Sequence, residues 1–161
     1  MTAKADIQYC AQYADLPDPE HFLAWAEILY SVLALNENER QREITVRLVD
    51  EQEMKTLNDK WRGKPYATNV LAFPAGEMPG GEGMGIDNWP LGDIVICAEV
   101  VEFEAQEQGK PFLDRLAHMF IHGLLHLLGY DHQLPTEAGA MEGIEQEALS
   151  RLGYANPYEM S

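Results

Sequence analysis

Residues 118–132 read HMFIHGLLHLLGYDH, and four of the chain's five histidines fall in these fifteen positions. At about 100° per residue, helical positions four apart are offset by only about 40°. His122 and His126 therefore share one face, one turn apart, and two imidazoles placed that way can reach one ion. His118 lies a further turn back on the same face. The intervening residues are Met, Phe, Ile and Leu, as expected of a helix packed into a core. Gly129 suits the left-handed conformation that ends a helix, after which the chain can turn back and bring His132 to the same point. Three neutral imidazoles around an open fourth position form the pattern of a catalytic zinc site. A lone histidine on an apolar helix face is usually a core residue. Four at this spacing, with a glycine at the break, read instead as a metal site with His122, His126 and His132 as ligands.

The spacing matches the register H-E-x-x-H-x-x-G-x-x-H of the metzincin proteases. Position 123, however, is Gly where those enzymes carry the glutamate that serves as general base. This argues against peptide hydrolysis by that route, and it reads as room beside the metal for a bulky substrate group. The register does not use His118, which could reach the metal in place of His132 but is expected to hydrogen-bond behind the ligands. Asp131 could orient an imidazole in the same way, move a proton, or simply satisfy the turn.

Outward from this helix, the chain alternates strand and helix signals. Ile7, Tyr9, Ala11 and Tyr13 alternate with mostly polar residues, as in a strand. Asp18-Pro19 reads as a helix start, and Phe22, Trp25, Ile28, Leu29, Val32 and Leu33 continue it at helical spacing to about residue 35. ITVRLV (44–49) reads as a strand. Asp50 and Glu53 suggest a capping box for a helix to about Lys60. Residues 69–73 form a short strand closed by Pro74. Residues 75–91, with five glycines, read as a long functional loop. GDIVIC (92–97) is a buried strand, followed by helices over 98–108, 111–128 and about 136–153. The prediction is a single α+β domain over 1–161, with a mixed β-sheet and the histidine helix packed on it.

Composition narrows the function. The 161 residues carry 27 acidic and 11 basic side chains, a net charge of −16. Such a balance argues against indiscriminate nucleic-acid binding, which needs a positive field. The charge is uneven, however. Lys55, Lys60, Arg62 and Lys64 against Asp59 leave a local +3 between Met54 and Gly76, whereas 99–107 carries four acids and no base. No apolar run reaches the roughly 18–20 residues of a membrane span. The first ten residues show no signal-peptide core, and two cysteines suit a reducing cytoplasm. Arg62, in a turn between Lys60 and Lys64, is either solvated or aimed at a phosphate beside the metal.

These segments together resemble the bacterial YbeY family. His122-Gly-Leu-Leu-His126-Leu-Leu-Gly129-Tyr130-Asp131-His132 is similar to its H-G-x-L-H-L-x-G-Y-D-H signature. Arg62-Gly63-Lys64 with Thr68-Asn69-Val70-Leu71-Ala72-Phe73-Pro74 resembles its R-G-K and P-T-N-V-L-S-F-P segments, and Leu91-Gly92-Asp93-Ile94-Val95-Ile96 resembles its L-G-D-I-x-I strand. Ala67 stands where the family usually has Pro, and Ala72 where it usually has Ser. The resemblance implies a zincin-like fold and one divalent metal, zinc or another such as nickel, on His122, His126 and His132. It implies Arg62 as the essential basic residue. The implied activity is cleavage of single-stranded RNA in maturation of the small-subunit ribosomal RNA 3′ end and in ribosome quality control, in the cytoplasm and at the ribosome. His122 and Arg62 are then the expected catalytic pair, with Arg62, Lys60 and Lys64 expected to bind substrate. With so acidic a body, weak binding to free RNA and reliance on ribosome docking are expected. Two alternatives stand beside this reading: another metal-dependent hydrolase, and a non-catalytic ribosome-assembly factor with a structural metal.

Overall fold

The computed structural model describes residues 3–11, 13, 15–75, 90–130 and 135–158. The strands are β1 (Ala5–Tyr9), β2 (Ile44–Val49), β3 (Val70–Pro74) and β4 (Gly92–Cys97). They form one mixed sheet in the order β1-β2-β4-β3. β1, β2 and β4 run parallel, and β3 pairs antiparallel with β4, Val70 opposite Ile96 and Pro74 opposite Gly92. The described helices are α1 (Pro19–Val32), α2 (Glu37–Arg40), α3 (Glu51–Arg62), α4 (Ala98–Gln108), α5 (Phe112–Leu127) and α6 (Pro135–Arg151). The α+β architecture and element order match the sequence reading. The short α2, capped by the Asn36 side chain on the Glu39 N–H, is an addition, because one turn is too brief to leave a periodic pattern. Most of the predicted 75–91 loop lies outside the described residues.

Period-two alternation in the strands splits the core between the two sheet faces. Ile44, Val46, Leu48, Ile94 and Ile96 join Phe22, Trp25, Leu29, Leu116 and Phe120 in the larger cluster, under α1, α5 and α6. Val49, Leu71, Val95 and Cys97 pack with Met54 of α3 on the opposite face. Cys97 is thus a buried small hydrophobe. Helix ends follow local chemistry. The Asp50 carboxylate caps α3 by accepting the Glu53 N–H at 2.8 Å. Glu53 does not complete the box, since its side chain accepts a hydrogen bond from Arg47 at 2.6 Å. Asp18 precedes α1, but its side chain makes no cap; its carbonyl accepts the His21 N–H instead.

Gly123 corrects the sequence reading. A Cβ there would stand 3.0 Å from Ile94 Cγ2 and 3.2 Å from Val70 Cγ2. The missing side chain therefore lets α5 settle onto β3 and β4, and does not open space beside a metal. Gly123→Val is expected to cost about 1–3 kcal/mol by overpacking this contact. The check is a lower urea midpoint at unchanged slope.

Candidate metal centre

α5 ends where the sequence predicts. Gly129 has φ +101°, its N–H bonds to the His126 carbonyl, and the Tyr130 N–H bonds to the Leu125 carbonyl at 3.0 Å. This pair of closing bonds is the Schellman arrangement. Asp131 and His132, the turn residue and third ligand of the sequence reading, lie outside the described residues.

Within α5 the Nε2 atoms of His122 and His126 stand 3.2 Å apart. Two ligands at roughly 2.0–2.1 Å on a tetrahedral ion are separated by about 3.3–3.4 Å, so this spacing fits a shared zinc. Two neutral imidazoles cannot aim bare lone pairs at each other this closely. Either a proton on one ring or a cation must lie between them. Among the described residues, no group of three or more His, Cys, Asp or Glu is placed to hold an ion.

Which nitrogen faces the gap is set from behind. Glu145 of α6 is fully buried, and its Oε2 accepts from His122 Nδ1 at 2.7 Å. A neutral His122 with its proton on Nδ1 presents Nε2 as an acceptor. The other carboxylate oxygen, Oε1, lies 3.2 Å from His118 Nε2 and accepts from the Tyr158 hydroxyl. The His118 tautomer follows from its far side. Arg115 Nη1 sits 3.2 Å from His118 Nδ1, and a guanidinium only donates, so Nδ1 accepts and Nε2 carries the proton toward Glu145. Burial pushes the Glu145 carboxyl up, but the hydrogen bonds from His118 and His122 outweigh it and hold the group at about 2. Burial lowers His118, and the nearby Arg115 and His122 add to that against the pull of Glu145. His118 thus stands behind the His122–His126 pair, bonded to the same carboxylate as His122.

The chain of contacts continues outward. Arg115 donates to Glu104 of α4 through Nε at 3.2 Å and Nη2 at 3.0 Å. Glu104 also accepts from Asn69 Nδ2 at 3.1 Å, just before β3. Lys60, Arg62 and Lys64 form a second group, exposed at the C-terminal end of α3 and in the turn after it. α3 packs on the sheet face opposite α5, and the turn leads to β3 at the sheet edge. Glu145, Tyr158 and Arg115 were not found from the sequence. The only available signal was a Glu in a helix with several others.

The α+β domain thus presents two convergent imidazoles, one of them braced by a buried carboxylate. Comparison with known proteins is more specific. Residues 8–153 match the family model described as Endoribonuclease YbeY. A protein named Endoribonuclease YbeY from Xanthomonas oryzae pv. oryzae is 48% identical over 152 residues, 94% of this chain and 91% of that one. One of the same name from Alkalilimnicola ehrlichii is 45% identical over 157 residues, covering 96% and 90%. The solution structure of a Thermotoga maritima protein shares the fold, with TM-score 0.54 and 24% identity over 96% of this chain and 99% of that one. The chain belongs to the Endoribonuclease YbeY family. No described helix is long and apolar enough to cross a membrane.

Glu145→Ala would leave His118, His122 and the Tyr158 hydroxyl without their shared acceptor. A stability loss of about 2–5 kcal/mol is expected, measured by urea denaturation in the presence of a chelator.

Proposed function

We propose that this protein is a zinc-dependent endoribonuclease, specific for single strands, that acts in the cytoplasm on ribosomal RNA. In this reading it matures the 3′ end of the small-subunit RNA and contributes to ribosome quality control, docked on the ribosome or its assembly proteins. Family membership supplies the reaction class, cleavage of phosphodiester bonds in RNA. The observation that carries the metal-dependent reading is the His122–His126 pair, with Nε2 atoms 3.2 Å apart and the His122 tautomer fixed by Glu145.

His122 and His126 would hold the metal, with His132 as the third ligand. The chemistry that a divalent ion supplies when bound there is Lewis-acid polarisation of a phosphoryl oxygen and activation of water. Glu145 accepts the Nδ1 proton of a neutral His122, which leaves Nε2 as the ring nitrogen turned toward His126. Arg62 offers planar, permanently charged donors to the phosphate oxygens on which negative charge grows. Lys60 and Lys64 hold the neighbouring backbone phosphates by charge. The attacking oxygen is water or the RNA 2′-hydroxyl. A 2′,3′-cyclic phosphate product would identify the latter.

Metal content and cleavage of a labelled single-stranded RNA, measured together, test this reading. His122→Ala should lose both metal and cleavage. Arg62→Ala should keep its metal and cleave about 10²–10³-fold more slowly. Equal cleavage by wild type and both variants would indicate a contaminating nuclease and leave an assembly factor with a structural metal as the better reading.

A further inference from the structure

The turn that carries Arg62 also exposes two aromatic rings. Residues 61–66 read Trp-Arg-Gly-Lys-Pro-Tyr. Trp61 is 60% and Tyr66 55% exposed, two of the five large hydrophobic side chains that the described residues leave in solvent. The indole is not loose. It meets Phe73 of β3 edge-on, with ring centroids 6.1 Å apart, and the Lys60 ammonium sits 5.1 Å from its ring centre. Tyr66 is placed by a buried side chain, since Asn58 Nδ2 donates to the Tyr66 carbonyl at 2.8 Å. The α3 end is closed as well, with the Gly63 N–H on the Asp59 carbonyl at 3.0 Å and the Lys64 N–H on the Asn58 carbonyl at 3.3 Å. The turn is therefore a fixed scaffold that presents aromatic faces among Lys55, Lys60, Arg62 and Lys64, on a chain of net charge −16.

We propose that Trp61 and Tyr66 form a stacking platform for unpaired bases of a single-stranded RNA, whose phosphates the adjacent cations hold. This inference rests on the endoribonuclease reading and adds a binding subsite to it. Charge alone would attract any polyanion, duplex or single-stranded. Exposed aromatic faces select strands whose bases are free to stack, because a base paired in a duplex offers no face to the ring. The combination gives a physical origin for single-strand preference that the metal centre and Arg62 do not supply, since both address only the phosphate. Every base has a π-face, so the platform is expected to tolerate sequence variation.

The test compares binding of a fluorescein-labelled single-stranded oligonucleotide with binding of an abasic strand of equal length, by anisotropy at fixed salt, using the full chain without added metal to prevent cleavage. Wild type should prefer the strand with bases. Trp61→Ala should weaken that binding about five- to hundredfold and leave affinity for the abasic strand unchanged. Trp61→Phe should retain most of the preference. Tyr66→Ala should act in the same direction. A circular dichroism melt of each variant separates lost stacking from lost folding. Equal affinity of wild type for both strands, or an equal loss on both in Trp61→Ala, would overturn the platform. Failure of wild type to cleave any single-stranded RNA after metal is restored would instead overturn the endoribonuclease reading.

Discussion

The Glu145 carboxylate is the point on which the candidate site depends. A charge with no solvent access costs several kcal/mol unless it is paired and fully hydrogen-bonded. Here it has three donors from three places: His122 and His118 on adjacent turns of α5, and Tyr158 after α6. Satisfying one carboxylate therefore brings α6 against α5 and folds the chain's last described residue back onto both. The same bonds choose which nitrogen His122 turns outward. A single buried group thus links the packing of the helices to the donor chemistry of the site.

From Glu145 the polar contacts run through His118, Arg115 and Glu104 to Asn69. This order has a direction imposed by chemistry. Arg115 can only donate, so it must face acceptors at both ends, a ring nitrogen on one side and a carboxylate on the other. Reversing any bond would place two donors or two acceptors in contact. The network therefore has one arrangement of protons, and it joins the histidine helix to the residue from which β3 starts. The segment that carries Arg62 and Lys64 is thereby anchored at its far end to the same framework that orients His122.

The parts legible in the sequence are those governed by local rules. Four-residue spacing put His122 and His126 on one face, and the Gly129 helix end and the Asp50 cap follow from neighbours in the chain. The mixed sheet was read from the order of strand and helix signals along the chain. Glu145 was not legible, because α6 carries Glu137, Glu142, Glu145 and Glu147 and nothing local separates the buried one from the rest. Its partners lie 23 and 27 residues away in sequence, a distance that only the folded chain closes. Gly123 was misread for the opposite reason. Its position in a catalytic register drew attention to the metal side, whereas its close neighbours are Ile94 and Val70 of the sheet.

β3 shows how few positions in such a domain are free to vary independently. Val70 and Ala72 pack with the larger cluster that includes α5, while Leu71 and Phe73 pack with the cluster under α3. One five-residue edge strand therefore sets the height of the histidine helix on one face and the seat of Trp61 on the other. Ala67 and Ala72, the two positions where the sequence reading noted a difference from the segment it resembles, pack against these two clusters. Ala72 packs against the larger apolar cluster, where a methyl has no hydrogen bond to satisfy. Ala67 packs beside the α3 cluster, between the Tyr66 carbonyl held by Asn58 and the Asn69 side chain held by Glu104. With side-chain hydrogen bonds on both sides of it, the turn does not depend on a proline ring at position 67 for its shape, because anchored ends already restrict the conformations of the few residues between them.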